Sequence, residues 1–321
     1  MKDLFGRNIN YMRVSITDRC DLRCRYCMPE EGIEKLPMSS VLTYEQIVRI
    51  CRAAASLGIT RIKVTGGEPL VRKGCADLIA QIKAIPDIEQ VTLTTNGQQL
   101  TAQLSALLAA GLDGVNISLD SLQPDRYRMI TRRGDLQNVL EAVDASLAGG
   151  LPVKINCLPM KGINEDELTD FAAFAFEKGV VVRFIEIMPI GFGSPGSGLS
   201  NPEILGKMQQ IYPALVPDAT VRGNGPSVYY HIPGQKGAVG LISAMHAPFC
   251  AGCNRIRLTA EGWIKPCLSY EDGVDLKEVL AAEDDALLTE SLREAILSKP
   301  ARHCFDHPEQ TESKSMMRIG G

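Results

Sequence analysis

No stretch of the 321-residue chain approaches the ~18 apolar residues of a membrane span, so no membrane partner is expected. The first residues, Met1-Lys2-Asp3-Leu4-Phe5-Gly6-Arg7, lack an apolar run behind their charges. No secretory signal is read there, and a cytoplasmic location is expected. Excess positive charge is missing too: 34 Lys and Arg face 38 Asp and Glu, a formal net charge of −4. That excludes a global field for a nucleic-acid polymer and leaves any anionic ligand to local cations. Ten cysteines are too sparse for a disulfide scaffold. A Walker-type phosphate loop is absent, so a bound nucleotide would not be a fuel for phosphoryl transfer. A GxGxxG spelling does occur at 191–196, but Pro195, Ser197-Gly198 and Pro202 oppose the helix that a dinucleotide fingerprint opens. What remains, 45% hydrophobic and 22% charged, is a globular chain able to bury a large core as one large domain or two unequal ones.

From about residue 10 to 190, short β-branched runs alternate with amphipathic segments, which argues βα units around a parallel sheet. Six strands are expected, at 11–16, 61–64, 90–94, 114–119, 153–157 and 181–187. Ile47, Ile50, Cys51 and Ala54 form one helical stripe behind a Thr43/Gln46 capping box. Further stripes run through Leu104/Leu107, Leu136/Val139/Val143 and Leu168/Phe171/Ala175, and end near Gly111, Gly149 and Gly179. The Gly- and Ser-rich 191–198 marks a boundary, after which a helix at 202–212, short strands and an acidic helical stretch at 275–293 are expected. The fold class is therefore α/β: an incomplete (β/α)6 TIM-like barrel over 1–200, with a C-terminal domain over 201–321.

Six of the cysteines fall in two tight groups. Cys20, Cys24 and Cys27 follow the first strand and supply three thiols in eight residues. Structural zinc wants four ligands and no fourth lies nearby, whereas a cubane held by three thiolates keeps one iron open for chemistry. Zinc completed by a distant ligand, or three incidental cysteines, are the alternatives. Other candidates obey the rule that working residues of a parallel barrel stand at strand C-termini. They are Gly66-Gly67-Glu68-Pro69 after strand two, Thr94 to Gly97 after strand three, Ser118 to Ser121 after strand four, Lys154 and Asn156 on strand five, and Met188 ending strand six. Cys157 is expected to face the same site. The second group, Cys250, Cys253 and Cys267, could be a zinc knuckle with His246, or a second cluster.

Cys20-x3-Cys24-x2-Cys27, with Tyr26 before the third cysteine, resembles the signature of radical S-adenosylmethionine enzymes, and Gly66 to Pro69 resembles their GGEP element. Cys253-Asn254-Arg255-Ile256-Arg257-Leu258-Thr259 and Pro266-Cys267-Leu268 resemble segments of one family within it, the GTP 3′,8-cyclases of molybdenum cofactor biosynthesis. The resemblance implies two 4Fe–4S clusters, on Cys20, Cys24, Cys27 and on Cys250, Cys253, Cys267, with S-adenosylmethionine at Tyr26, Gly67, Ser118 and Met188. It implies GTP at Arg13, Lys63, Thr94, Lys154, Arg255 and Arg257. Arg255, Arg257 and the terminal Gly320-Gly321 would act in the active site, where a side-chain-free end can thread. Lys63 stands where the family is expected to carry Arg, so the charge is kept and the bidentate fork is lost. A one-electron donor and a downstream pterin-forming enzyme are implied as partners, and a homodimer is allowed. The rival readings are another radical enzyme with an auxiliary cluster and a non-catalytic iron–sulfur electron-transfer protein.

Overall fold

The structure, a computed structural model, describes residues 1–193 and 196–320. Ser194 and Pro195 of the GxGxxG spelling, and Gly321 of the double glycine, lie outside the described residues. The first part alternates as β1 (Tyr11–Ser15), α1 (Tyr44–Ser56), β2 (Arg61–Thr65), α2 (Cys75–Lys83), β3 (Gln90–Thr95), α3 (Leu100–Ala109) and β4 (Val115–Ser118). Then come α4 (Pro124–Thr131), α5 (Leu136–Ala148), β5 (Val153–Cys157), α6 (Leu168–Lys178) and β6 (Val181–Ile185). Strands β1 to β6 pair in chain order, all parallel, which is the expected partial barrel.

Local sequence explains the elements. The Thr43 hydroxyl accepts the Gln46 N–H while the Gln46 side chain accepts the Thr43 N–H, and α1 buries Ile47, Ile50, Cys51 and Ala54 behind that capping box. The helix α6 ends at Gly179 in the left-handed region. After α5 it is Gly150, not Gly149, that takes positive φ. Helices α2 and α4 have no counterpart in the sequence reading, because nine and eight residues give too short a window for a 3.6-residue period. Strand β6 stops at Ile185, so Met188 stands in the loop beyond it rather than at its end.

The remaining elements are α7 (Asn201–Ile211), β7 (Val216–Asp218), β8 (Val228–His231), β9 (Ala238–Ile242), β10 (Arg255–Leu258), β11 (Trp263–Lys265), β12 (Val274–Asp275), α8 (Lys277–Ala281) and α9 (Asp285–Leu297). They extend both edges of one sheet: β9 pairs parallel beside β6, and β10 pairs parallel beside β1. Antiparallel β8-β7 and β11-β12 continue outward. The acidic stretch is two helices rather than one, and α9, capped by Asp284, still buries Leu288, Leu292, Ala295 and Ile296. Among the described residues no helix is long and apolar enough to cross a membrane.

Candidate active site

The strands surround a cavity of about 380 Å³. Its lining includes Cys20, Cys24 and Cys27, the proposed contacts Tyr26, Gly67, Ser118 and Met188, and the cations Arg13, Lys63, Lys154, Arg255 and Arg257, with Thr94. Cys250, Cys253 and Cys267 line a smaller hollow of about 70 Å³ that shares Met188, Arg255, Arg257 and Leu268 with the large cavity. Both cysteine groups therefore open toward one space.

Glycine is required at the first group by close approach. The Gly67 N–H donates to the Thr17 carbonyl and the Glu68 N–H to the Arg19 carbonyl, both at 2.7 Å. A Cβ on Gly67 would lie 2.4 Å from the Arg19 oxygen, and one on Gly66 would lie 2.7 Å from the Thr17 oxygen. So the Gly66-Gly67 turn packs backbone to backbone against the segment leading into Cys20. Glu68 then binds the third strand's exit, accepting from Asn96 N at 2.6 Å and Thr95 Oγ1 at 2.8 Å. Burial raises its carboxyl to about 7 despite those donors. Tyr26 Oη donates to Asp120 Oδ2 at 2.7 Å, which orients the ring beside Cys27. Burial pushes all three thiols up, Cys27 to about 11, and Glu68 adds to Cys20 as Asp120 adds to Cys24.

Three of the cations share one row of the sheet. Arg13 is the register partner of both Arg257 on β10 and Lys63 on β2, and Tyr11 is partnered by Arg255. Arg183 on β6 joins them as a sixth cation, its guanidinium donating to Asn156 Oδ1 at 2.5 and 3.0 Å. Sequence reasoning missed Arg183, although a charge inside the apolar run Val-Val-Arg-Phe-Ile was a signal. Burial is the main force lowering the Lys63 pKa well below the ordinary lysine value, with Arg183 and Arg13 adding repulsion. Burial, then Arg183 and Arg222, bring Lys154 to about 8. The Gly320 carbonyl accepts from Arg257 Nη1 at 3.4 Å, so the C-terminal segment does reach the cation layer.

Two expectations are corrected. Cys157 is fully buried in the apolar core and turns away from the cavity, because alternation on β5 gives Lys154 and Asn156 the cavity face. His246 is held by Glu186, with Nδ1 3.0 Å from Oε1, instead of turning to the second cysteines. Among the described residues no group of His, Cys, Asp or Glu side chains gathers to hold a single metal ion. Thiolates that each bind a different iron of a cubane have no need to converge on one point. The environments of the two groups differ: burial raises the Cys253 thiol, but Arg255 and Lys299 more than offset it and leave it at about 7.

The family model described as Radical SAM superfamily matches residues 14–175, and that described as Molybdenum Cofactor Synthesis C matches 180–305. The chain is similar to the GTP 3′,8-cyclase of Petrotoga mobilis, 46% identical over 333 residues, and to that of Moorella thermoacetica, 44% identical over 325 residues. Both alignments cover 100% of each chain. Among solved structures it resembles Streptococcus suis SuiB bound to precursor peptide SuiA, with a TM-score of 0.67 at 14% identity over 97% of this chain and 75% of that one. At that identity the likeness speaks for the fold alone. The superfamily implies a 4Fe–4S cluster and S-adenosylmethionine, and the residues present fit them. Three thiols face one cavity beside a glycine cradle that a Cβ would fill, and the Thr94 hydroxyl is buried there with no hydrogen-bond partner. The chain belongs to the GTP 3′,8-cyclase family of the radical S-adenosylmethionine superfamily.

Proposed function

We propose that the chain converts GTP into 3′,8-cyclo-7,8-dihydro-GTP, the first step toward the pterin of molybdenum cofactor. One observation carries the reading: Arg13, Lys63, Lys154, Arg183, Arg255 and Arg257, all buried or half-buried, line the same cavity as the first cysteine triad. Cys20, Cys24 and Cys27 would hold the 4Fe–4S cluster, which together with S-adenosylmethionine would supply the radical chemistry for hydrogen removal from ribose C3′. The chain's own residues bind, orient and shield. Gly67 offers backbone, and Tyr26, Ser118 and Met188 flank S-adenosylmethionine. Arg13, Lys63, Thr94, Lys154, Arg255 and Arg257 take GTP, its triphosphate matched by charge-assisted hydrogen bonds. Cys250, Cys253 and Cys267 would hold a second 4Fe–4S cluster that serves the guanine base, and the terminal Gly320-Gly321 acts in the active site.

The S-adenosylmethionine part takes residues 1–200, and the second-cluster part 201–321. We place the protein in the cytoplasm, supplied by a one-electron donor and followed by an enzyme that builds the pterin. The test is anaerobic turnover with S-adenosylmethionine and reductant, with and without GTP. The reading expects 5′-deoxyadenosine formation to depend on GTP, and equal rates in both would overturn the substrate assignment.

A further inference from the structure

Outside the two cysteine motifs, two basic side chains from opposite ends of the chain converge on the second triad. Arg7, before β1, donates through Nη1 to the Cys250 carbonyl at 3.0 Å and to the Ala301 carbonyl at 3.2 Å. Its Nη2 reaches the carbonyls of Lys299 at 3.3 Å and Pro300 at 2.7 Å, and its charge is met by Asp3 Oδ2 at 2.5 Å from Nε. Lys299, two residues after α9, is 3% exposed. Its ammonium donates to the Arg255 carbonyl at 2.9 Å and the Pro266 carbonyl at 2.7 Å, and Lys299 lines the small hollow together with Cys250, Cys253 and Cys267. Arg255 lies two residues past Cys253, and Pro266 directly precedes Cys267. The pair thus ties down the backbone around all three cysteines.

Charge makes the arrangement informative. A buried ammonium is costly unless an opposite charge faces it, and carbonyls alone give only hydrogen bonds. A cluster held by the three cysteines that line the small hollow with Lys299 would carry that charge. The first triad has carboxylates for neighbours: Asp21 Oδ1 lies 3.9 Å from Cys20 Sγ, and Asp120 Oδ2 accepts from the Tyr26 hydroxyl beside Cys27 at 2.7 Å. Net charge and hydrogen bonds at the sulfurs set a cluster's potential. A fixed cation beside one triad and carboxylates beside the other would hold two similar clusters at different potentials.

We propose that Lys299, braced by Arg7, is the positioning residue of the second triad, its ammonium compensating the charge of the cluster on Cys250, Cys253 and Cys267 and raising its potential. This rests on the reading that the triad holds a cluster, and the experiment separates the two. In the full-length chain carrying Cys20→Ala, Cys24→Ala and Cys27→Ala, a single cluster is left to read, with about four irons per chain. The parent, Lys299→Met and Lys299→Arg are compared by iron content and by electron-paramagnetic-resonance redox titration. The expected result for Lys299→Met is a lowered midpoint potential, or loss of iron with an unchanged circular dichroism spectrum, and for Lys299→Arg a return toward the parent. Should Lys299→Met not fold, Lys299→Gln, which keeps a donor for the carbonyls, takes its place. Full iron at the parent potential in the uncharged variant overturns the role of Lys299. A parent without iron overturns the second-cluster reading itself.

Discussion

Arg257 and Arg13 are register partners on adjacent parallel strands although they come from opposite ends of the chain. The pairing of β10 with β1 completes the cation layer, since it brings the Arg255-x-Arg257 segment beside Arg13 and Lys63. Burial, then the neighbouring Arg13 and Arg255, push the Arg257 pKa well down.

Arg257→Ala is expected to lose GTP turnover and keep both clusters. Loss of a charged hydrogen bond costs about 1.5–3 kcal/mol, or roughly 10- to 150-fold in kcat/KM. Steady-state kinetics beside iron analysis check this, and loss of iron in the variant would contradict a substrate role.

Lys154 gives GTP binding a pH dependence. Burial and two arginines bring its folded pKa to about 8 from 10.5, so in the ligand-free protein it is charged below about 8 and neutral above. A triphosphate binds the charged form, so affinity is full below that pH and falls as pH rises through it, by at most about tenfold per unit for one group. Titration calorimetry from pH 7 to 9.5 should show weakening above 8 with proton uptake, and Lys154→Arg should flatten the curve.

Gly67→Ala drives a Cβ to 2.4 Å from the Arg19 carbonyl oxygen and must displace the segment entering Cys20. Overpacking of this kind costs about 1–3 kcal/mol. A lowered melting temperature together with reduced iron at the first triad is the expected result.

Glu312 pairs with Lys265 at almost complete burial, and the Glu312 N–H also donates to the Ser269 carbonyl at 2.7 Å. This anchors the segment that leads to Gly320. Glu312→Gln leaves the Lys265 charge without its partner, at a cost of about 3–5 kcal/mol. Hydrogen exchange over 313–320 should accelerate in the variant.

The barrel was legible because β-branched runs and capped amphipathic helices repeat at regular intervals, as at Thr43/Gln46. The site residues were legible where motifs crowd them, at Cys20 to Cys27 and Cys253 to Arg257. Arg183 and Lys299 were not, because each stands alone in sequence and acquires its neighbours only through folding. Lys299 lies beyond the last helix, and its ammonium is satisfied by carbonyls contributed by β10 and by Pro266. The joining of the C-terminal strands to both sheet edges was equally invisible, since strand partners far apart in sequence leave no local pattern.

The most direct test of the central claim is an anaerobic reaction of cluster-loaded protein with S-adenosylmethionine, reductant and GTP deuterated at ribose C3′. Products are read by mass spectrometry. The account predicts 5′-deoxyadenosine carrying deuterium together with a cyclised GTP isomer. Unlabelled 5′-deoxyadenosine, formed equally with and without GTP and with no new nucleotide, would contradict it.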